Sequence, residues 1–250
     1  MAKNAADGHS ATRTSRTTET WLVTGASHGI GLEVRRQLLA ERHEVVASGR
    51  RAAEALPLDF PDTGYISADL ATAEGRAHLA ANLPDRLDFA LLNAGTGYYR
   101  PLVAEEPDAI ARVLRTNLLA PIAIASAIFP LLDATDGVVG LVGSVAYKKA
   151  PGMPVYAASK AGLDGFGRSL RSEWQGRVDV RVIHPGPTAT GMAQRAGLTS
   201  ATSQRLMLPV ADVAAGVIAA MRRPGRHRRT VSFCAVLAGR LRGTVMPVAR

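Results

Sequence analysis

Several things are scarce in this chain. Its 250 residues include one cysteine, Cys234, so no internal disulfide can form and a disulfide-stapled fold is excluded. Its six histidines stand singly, without paired spacing or a cysteine cluster beside them, and no metal site is legible. Aromatic residues make up 5%, and in the basic C-terminal stretch only Phe233 could stack on a base, which argues against a nucleic-acid partner. No stretch approaches the roughly 20 uninterrupted apolar residues of a spanning helix. The first twenty residues are rich in Ser, Thr and Ala and lack the apolar core of a secretory signal. These absences read as a cytoplasmic protein, with residues 1–20 a flexible tail and residues 21–250 one domain, whose core can draw on 47% hydrophobic residues.

Acidic residues are also unevenly missing. The net charge is +9, and after Asp212 there is no Asp or Glu, while Arg222, Arg223, Arg226, Arg228, Arg229, Arg240, Arg242 and Arg250 follow. One reading is the solvated face of an arginine-rich chain. The other is a docking surface for an acidic partner, a carrier protein or an anionic membrane surface.

What is present is an alternation of short apolar runs with longer helical patterns, the pattern of repeated βαβ units. It predicts an α/β fold with a single doubly wound parallel sheet and helices on both faces. Strands are expected at Trp21 to Thr24, Glu44 to Ser48, Tyr65 to Ala68, Phe89 to Leu92, Val138 to Val142, Val178 to Ile183 and Thr230 to Val236. Between the first two, Ile30, Val34, Leu38 and Leu39 fall at helical spacing through about Ala40.

The first strand runs into Gly25-Ala26-Ser27-His28-Gly29-Ile30-Gly31. Glycine at these turns permits positive φ and close approach of a pyrophosphate, and the following helix supplies N–H donors and the positive end of its dipole. The strict G-x-G-x-x-G pattern is absent, since Val34 stands at the last glycine position. The acidic residue that would hold the ribose hydroxyls of NAD is missing too: the second strand ends Ser48-Gly49-Arg50-Arg51. A guanidinium pairs with a 2′-phosphate, so the cofactor expected is NADP (NADPH), with Ser27 and His28 as further contacts.

Tyr156 and Lys160 lie one helical turn apart, on one face. A free phenol titrates near about 10, and an adjacent ammonium would favour its ionised form, as proton exchange with a substrate oxygen requires. Ser144, at the end of the Val138 to Val142 strand, can donate a hydrogen bond to that oxygen. A Tyr and a Lys at this spacing recur by chance in many helices, so the weight rests on the joint pattern. Val142 and Ala146 occupy the glycine positions of a nucleophile elbow around Ser144, which argues against a hydrolase. His184, ahead of Pro185, reads as a structural histidine.

Taken together, the glycine loop, Asp69-Leu70, Asn93-Ala94-Gly95, Asn117, Ser144, Tyr156-Ala157-Ala158-Ser159-Lys160 and Pro185-Gly186 make the chain resemble the short-chain dehydrogenase/reductase family, from Trp21 to about Met192. The resemblance implies a Rossmann-type domain and hydride transfer between a nicotinamide and a ketone, aldehyde or secondary alcohol, the NADP preference favouring carbonyl reduction. It implies a catalytic set of Ser144, Tyr156, Lys160 and Asn117, the last holding a water in a proton relay. It further implies that Asp69 and Leu70 lie at the adenine, Asn93 at the adenosine ribose with Ala94 and Gly95 beside it, and Pro185, Gly186, Thr188 and Thr190 over the nicotinamide. A homodimer or tetramer is the usual assembly. The loops 96–103, 147–155 and 191–208 are the substrate candidates, the last as a lid. The alternatives are an NADP-binding regulatory or scaffold protein without turnover, and a reductase that meets a carrier-bound or membrane-borne substrate through its C-terminal arginines.

Overall fold

The computed structural model describes residues 18–56, 60, 63–191, 207–223 and 228–232, of Arg228 and Arg229 the backbone alone. Seven parallel strands form one sheet in the order β3-β2-β1-β4-β5-β6-β7. They are β1 (Thr20–Thr24), β2 (Glu44–Gly49), β3 (Tyr65–Ser67), β4 (Phe89–Leu92), β5 (Val138–Val142), β6 (Asp179–Pro185) and β7 (Arg228–Val231). The helices are α1 (Gly29–Ala40), α2 (Ala73–Ala81), α3 (Pro107–Leu114), α4 (Ala120–Asp133), α5 (Pro154–Glu173) and α6 (Val210–Arg222), with a π-helical turn at Arg115–Leu119 joining α3 to α4.

Every residue of β1, β4 and β5 is buried, as a parallel sheet covered on both faces demands, and this is why those strands read as unbroken apolar runs. Alternate side chains feed two cores. Trp21, Val23, Val34, Leu38, Val213 and Val217 pack on one face beneath α1 and α6. Leu22, Ala90, Ile124, Ile128, Leu141 and Leu163 pack on the other beneath α4 and α5. Trp21 stacks on Phe89 across β1 and β4 at 4.1 Å between centroids, a pairing that adds about 0.5–1.5 kcal/mol to its burial.

The run Pro107–Asp133 is long and apolar enough to cross a membrane, with mean hydropathy 1.5. Ala120, Ile124, Ala125, Ile128 and Leu132 account for this composition by lying in the core against the sheet.

Several boundaries differ from the sequence reading, most by one residue. Glu19 and Thr20, expected in the tail, belong to the fold: Thr20 is the first, buried residue of β1 and the Glu19 carboxylate takes hydrogen bonds from Arg222 and the Trp21 indole. The strand expected at Thr230 to Val236 begins at Arg228. Strand β6 runs past Ile183 through His184 and Pro185, which buries the histidine. Between β2 and β3 the described residues include a 3-10 turn, Ala53–Ala55. Arg226, Arg240, Arg242 and Arg250 lie outside the described residues, as do Phe233 and Cys234. Arg222 is not a free cation for docking: its guanidinium is paired with Glu19 and Glu41 at 2.9 and 2.7 Å.

Candidate active site

The strand order reverses between β1 and β4, and at such a reversal open α/β sheets bind ligands in the crevice at the C-terminal ends of the strands. The loops leaving β1 and β4 at that end are stitched together. The Thr24 hydroxyl accepts from the N–H groups of Asn93 and Ala94 at 2.9 and 3.0 Å. The Asn93 amide donates to the carbonyls of Thr24 and Gly25 at 2.9 and 3.3 Å. The Asn93 amide nitrogen therefore ties its own loop to the glycine loop. Gly25 sits at φ +67°, and a Cβ there would come within 2.8 Å of the Ala94 backbone. At Gly31 a Cβ would lie 2.5 Å from both the Asn93 amide and the Gly25 carbonyl. The glycines are thus required by protein packing as well as by any ligand.

Helix α1 begins at His28, whose backbone is extended and whose side chain does not cap the helix; no acidic residue occupies the first turn. Uncapped N–H groups at a helix start, with no carboxylate beside them, suit an anion. Ser27 and His28 lie side by side, Oγ to Nδ1 at 3.2 Å. Thr190 reaches back over the loop, its methyl 3.3 Å from where a Gly29 Cβ would be. These features fit a dinucleotide's pyrophosphate.

Asp69 is the residue that the resemblance puts at the adenine. Burial would raise its carboxyl, but the hydrogen bond and charge of Arg112, the Ala71 N–H and the Arg50 charge outweigh that and hold it low. Arg112 pairs with it at 2.8 Å. Tyr65, absent from the sequence-based set, belongs here. Its hydroxyl donates to the Arg51 carbonyl at 2.9 Å, and burial raises its phenol against the opposing pull of Ser27, Arg51 and Arg35. Leu70 is buried.

On the nicotinamide side, Ser144 closes β5 and caps the 3-10 turn Val145–Tyr147, its Oγ accepting from the Ala146 N–H at 3.2 Å. Tyr156 and Lys160 project from α5 on one face. Burial pushes the Tyr156 phenol up, and the hydrogen bond with Ser144 draws it down. Lys160, expected to lower this phenol, holds its ammonium 5.8 Å from the ring centroid and donates to the Val142 carbonyl at 2.7 Å. Burial pushes the lysine itself down to about 8.

Asn117 is fully buried in the π-helical turn. Its side chain accepts from Thr96 N–H at 2.8 Å and donates to the Thr96 carbonyl and the Ser159 hydroxyl at 2.8 and 3.0 Å. A π turn interrupts the regular helical ladder, and such turns gather at functional sites. Ser159, one residue before Lys160, was not singled out because its role depends on a partner 42 positions away.

Pro185 ends β6, and the Gly186 N–H donates to Val231. Thr188 hydrogen-bonds the Gly186 carbonyl at 2.9 Å and pairs with Leu208 in a parallel bridge. The chain just before the expected lid therefore meets its last residue, Leu208. Its interior, with Met192, Leu198 and Leu206, lies outside the described residues. Of the other substrate loops, Tyr99 packs on Gly152, and Met153 and Tyr156 pack on Gly97.

Compared with models of known families, residues 19–201 match that of the short chain dehydrogenases. The chain belongs to the short chain dehydrogenase family. As a short chain dehydrogenase it is an oxidoreductase of the nicotinamide-dependent kind. It is 30% identical over 220 residues to an uncharacterized oxidoreductase of Mycobacterium tuberculosis, covering 82% of this chain and 85% of the relative. It is 32% identical over 208 residues to the oxidoreductase YciK of Escherichia coli, covering 77% and 81%. Among solved structures, a short chain dehydrogenase of Shigella flexneri complexed with NADP superimposes with a TM-score of 0.74 at 28% identity, covering 85% of this chain and 95% of that one.

Proposed function

We propose that this short chain dehydrogenase is an NADPH-dependent carbonyl reductase in which Tyr156 protonates the substrate oxygen. The observation that carries this reading is the placement of Tyr156 and Lys160 on one face of α5, the ammonium 5.8 Å from the phenol ring centroid. A neutral phenol is a proton donor, as carbonyl reduction requires. NADPH would supply the hydride. The Ser144 hydroxyl holds the carbonyl oxygen beside the phenol. Lys160, one turn further along α5, replenishes the phenol proton through the buried groups around Asn117 and holds the nicotinamide ribose.

The preference for the phosphorylated cofactor rests on Arg50 and Arg51 at the end of β2, where a guanidinium would pair with a 2′-phosphate. Tyr65 supports it by fixing the Arg51 backbone from below. The NADP bound by the Shigella relative agrees with this choice. The enzyme is proposed to act on a small ketone or aldehyde and to assemble as a homodimer or tetramer.

The deciding experiment titrates the purified protein with NADPH and NADH and follows nicotinamide absorbance over a panel of ketones and aldehydes. NADPH should bind more tightly than NADH and be consumed, and Tyr156→Phe should keep cofactor affinity while losing turnover by at least about 1,000-fold. Undiminished turnover in Tyr156→Phe would remove the tyrosine from its role.

A further inference from the structure

Beneath Ser144 lies a pair of buried ionisable side chains that the reaction does not touch. His184, on β6, is 1% exposed, and Asp164, on α5, is 4% exposed. The imidazole Nε2 is 2.9 Å from Asp164 Oδ1, and Nδ1 is 3.1 Å from the Ser144 carbonyl oxygen. A second Asp164 oxygen faces Arg168 at 3.4 Å. The ring is tilted against Tyr147 with centroids 4.4 Å apart. At Gly143 a Cβ would lie 2.6 Å from His184 Nδ1, so the chain before Ser144 lies directly on the imidazole.

The hydrogen-bond roles follow from the atoms. The Ser144 carbonyl can only accept, so Nδ1 carries a proton. An ionised Asp164 also only accepts, which puts a second proton on Nε2; a protonated Asp164 would instead donate to a neutral ring. In either state the Nδ1 proton points at the Ser144 peptide. Asp164 stands four residues after Lys160 and eight after Tyr156, one and two turns along the same face of α5. The histidine therefore links the helix that carries Tyr156 and Lys160 to the peptide that carries Ser144.

We propose that Asp164 and His184 are positioning residues that hold the Ser144 peptide in register with Tyr156, so that the serine hydroxyl and the phenol converge on one substrate oxygen. The proposal rests on the reading of Ser144 and Tyr156 as the reacting pair. The chemistry of Ser144 resides in its side chain, and its backbone carbonyl is the handle. A misplacement of about 1 Å at such a site costs on the order of 100-fold in rate.

The test replaces both members at once, as Asp164→Leu with His184→Val, because removing one would strand a buried charge, whereas exchanging both for apolar side chains is tolerated. The double variant should bind NADPH within about twofold of the parent, since the glycine loop and the arginines at the end of β2 are left unchanged. Its kcat should fall about 100-fold with little change in KM for the ketone. His184→Asn, whose amide can still donate to the Ser144 carbonyl, should recover most of that loss. Unchanged kcat in the double variant would overturn the proposal, as would His184→Asn being no better than the double variant.

A second readout does not depend on turnover. With tyrosine labelled at Cζ, the Tyr156 resonance, identified by its loss in Tyr156→Phe, should move in the same direction in Ser144→Ala and in the double variant. A Tyr156 resonance unmoved in a folded double variant would overturn the pair's role. Failure of the parent to oxidise NADPH would overturn the proposed reaction instead, with the resonance still judging the pair.

Discussion

Lys160 carries its charge where water does not reach, with the Val142 carbonyl as its hydrogen-bond partner. The drop of its ammonium from 10.5 to about 8 through burial corresponds to about 3 kcal/mol held against the fold at neutral pH. The sign follows from proton counting. Between about 8 and 10.5 the unfolded chain binds the lysine proton and the folded one does not, so stability from this residue climbs with pH across that window and is lowest below it. Lys160→Met should therefore stabilise the protein at pH 7 by about 1–3 kcal/mol and flatten the climb, while turnover falls by at least about 1,000-fold; urea melts from pH 6 to 10 check the first part. A melt in which the variant is less stable would show that the hydrogen bond to Val142 outweighs the buried charge. The same ionisation should appear in catalysis. If the ammonium is needed, kcat/KM for NADPH in the reductive direction should fall about tenfold per pH unit above about 8, whereas Tyr156, held above its ordinary value, adds no loss below 10. A profile level through pH 10 would remove the charged lysine from the rate.

At the scale of elements, the glycine loop and the Asn93 loop act as one piece because Thr24 and Asn93 bind each other's backbones. Gly31→Ala would drive a methyl into the Asn93 amide and the Gly25 carbonyl. It should cost about 1–3 kcal/mol of stability and weaken NADPH at least tenfold; urea melts measure the first and calorimetric titration the second. The strands and the loop were legible in the sequence because their signals are local: apolar runs for the doubly covered β1, β4 and β5, and glycines where the chain turns. Tyr156 and Lys160 were legible for the same reason, being neighbours on one helix. What was illegible depends on partners far apart in the chain. Tyr65 meets Arg51 across two strands, His184 meets Asp164 across 20 residues, and Asn117 meets Ser159 across 42. The sequence reading placed Asn93 at a ribose and Lys160 beside the phenol; the partners it could not name are the glycine-loop carbonyls for the first and the Val142 carbonyl for the second.

Across the whole molecule, the charge that suggested a docking surface is partly internal. Arg222 ends α6 and joins Glu19 before β1 to Glu41 after α1, with its guanidinium 5.7 Å from the Trp21 ring centroid. This network closes the end of the sheet opposite the crevice. Arg222→Ala should destabilise by about 1 kcal/mol at low salt and by less at 1 M salt, as a half-exposed network is screened, and it should leave NADPH affinity unchanged. Urea melts at the two salt concentrations give the difference; an equal loss at both would mean that the arginine acts through its contact with Trp21 instead. At the other end of the sheet, the bridge between Thr188 and Leu208 has a consequence for descent. Because the chain leaves and returns at adjacent points, the segment between can be lengthened or exchanged without moving any strand, each doubling of its length costing only about 0.6 kcal/mol in closure entropy. If that segment meets the substrate, as the sequence reading expects, substrate choice can drift under selection while the reaction and the cofactor seat stay fixed, which lets one scaffold be inherited by enzymes with different diets.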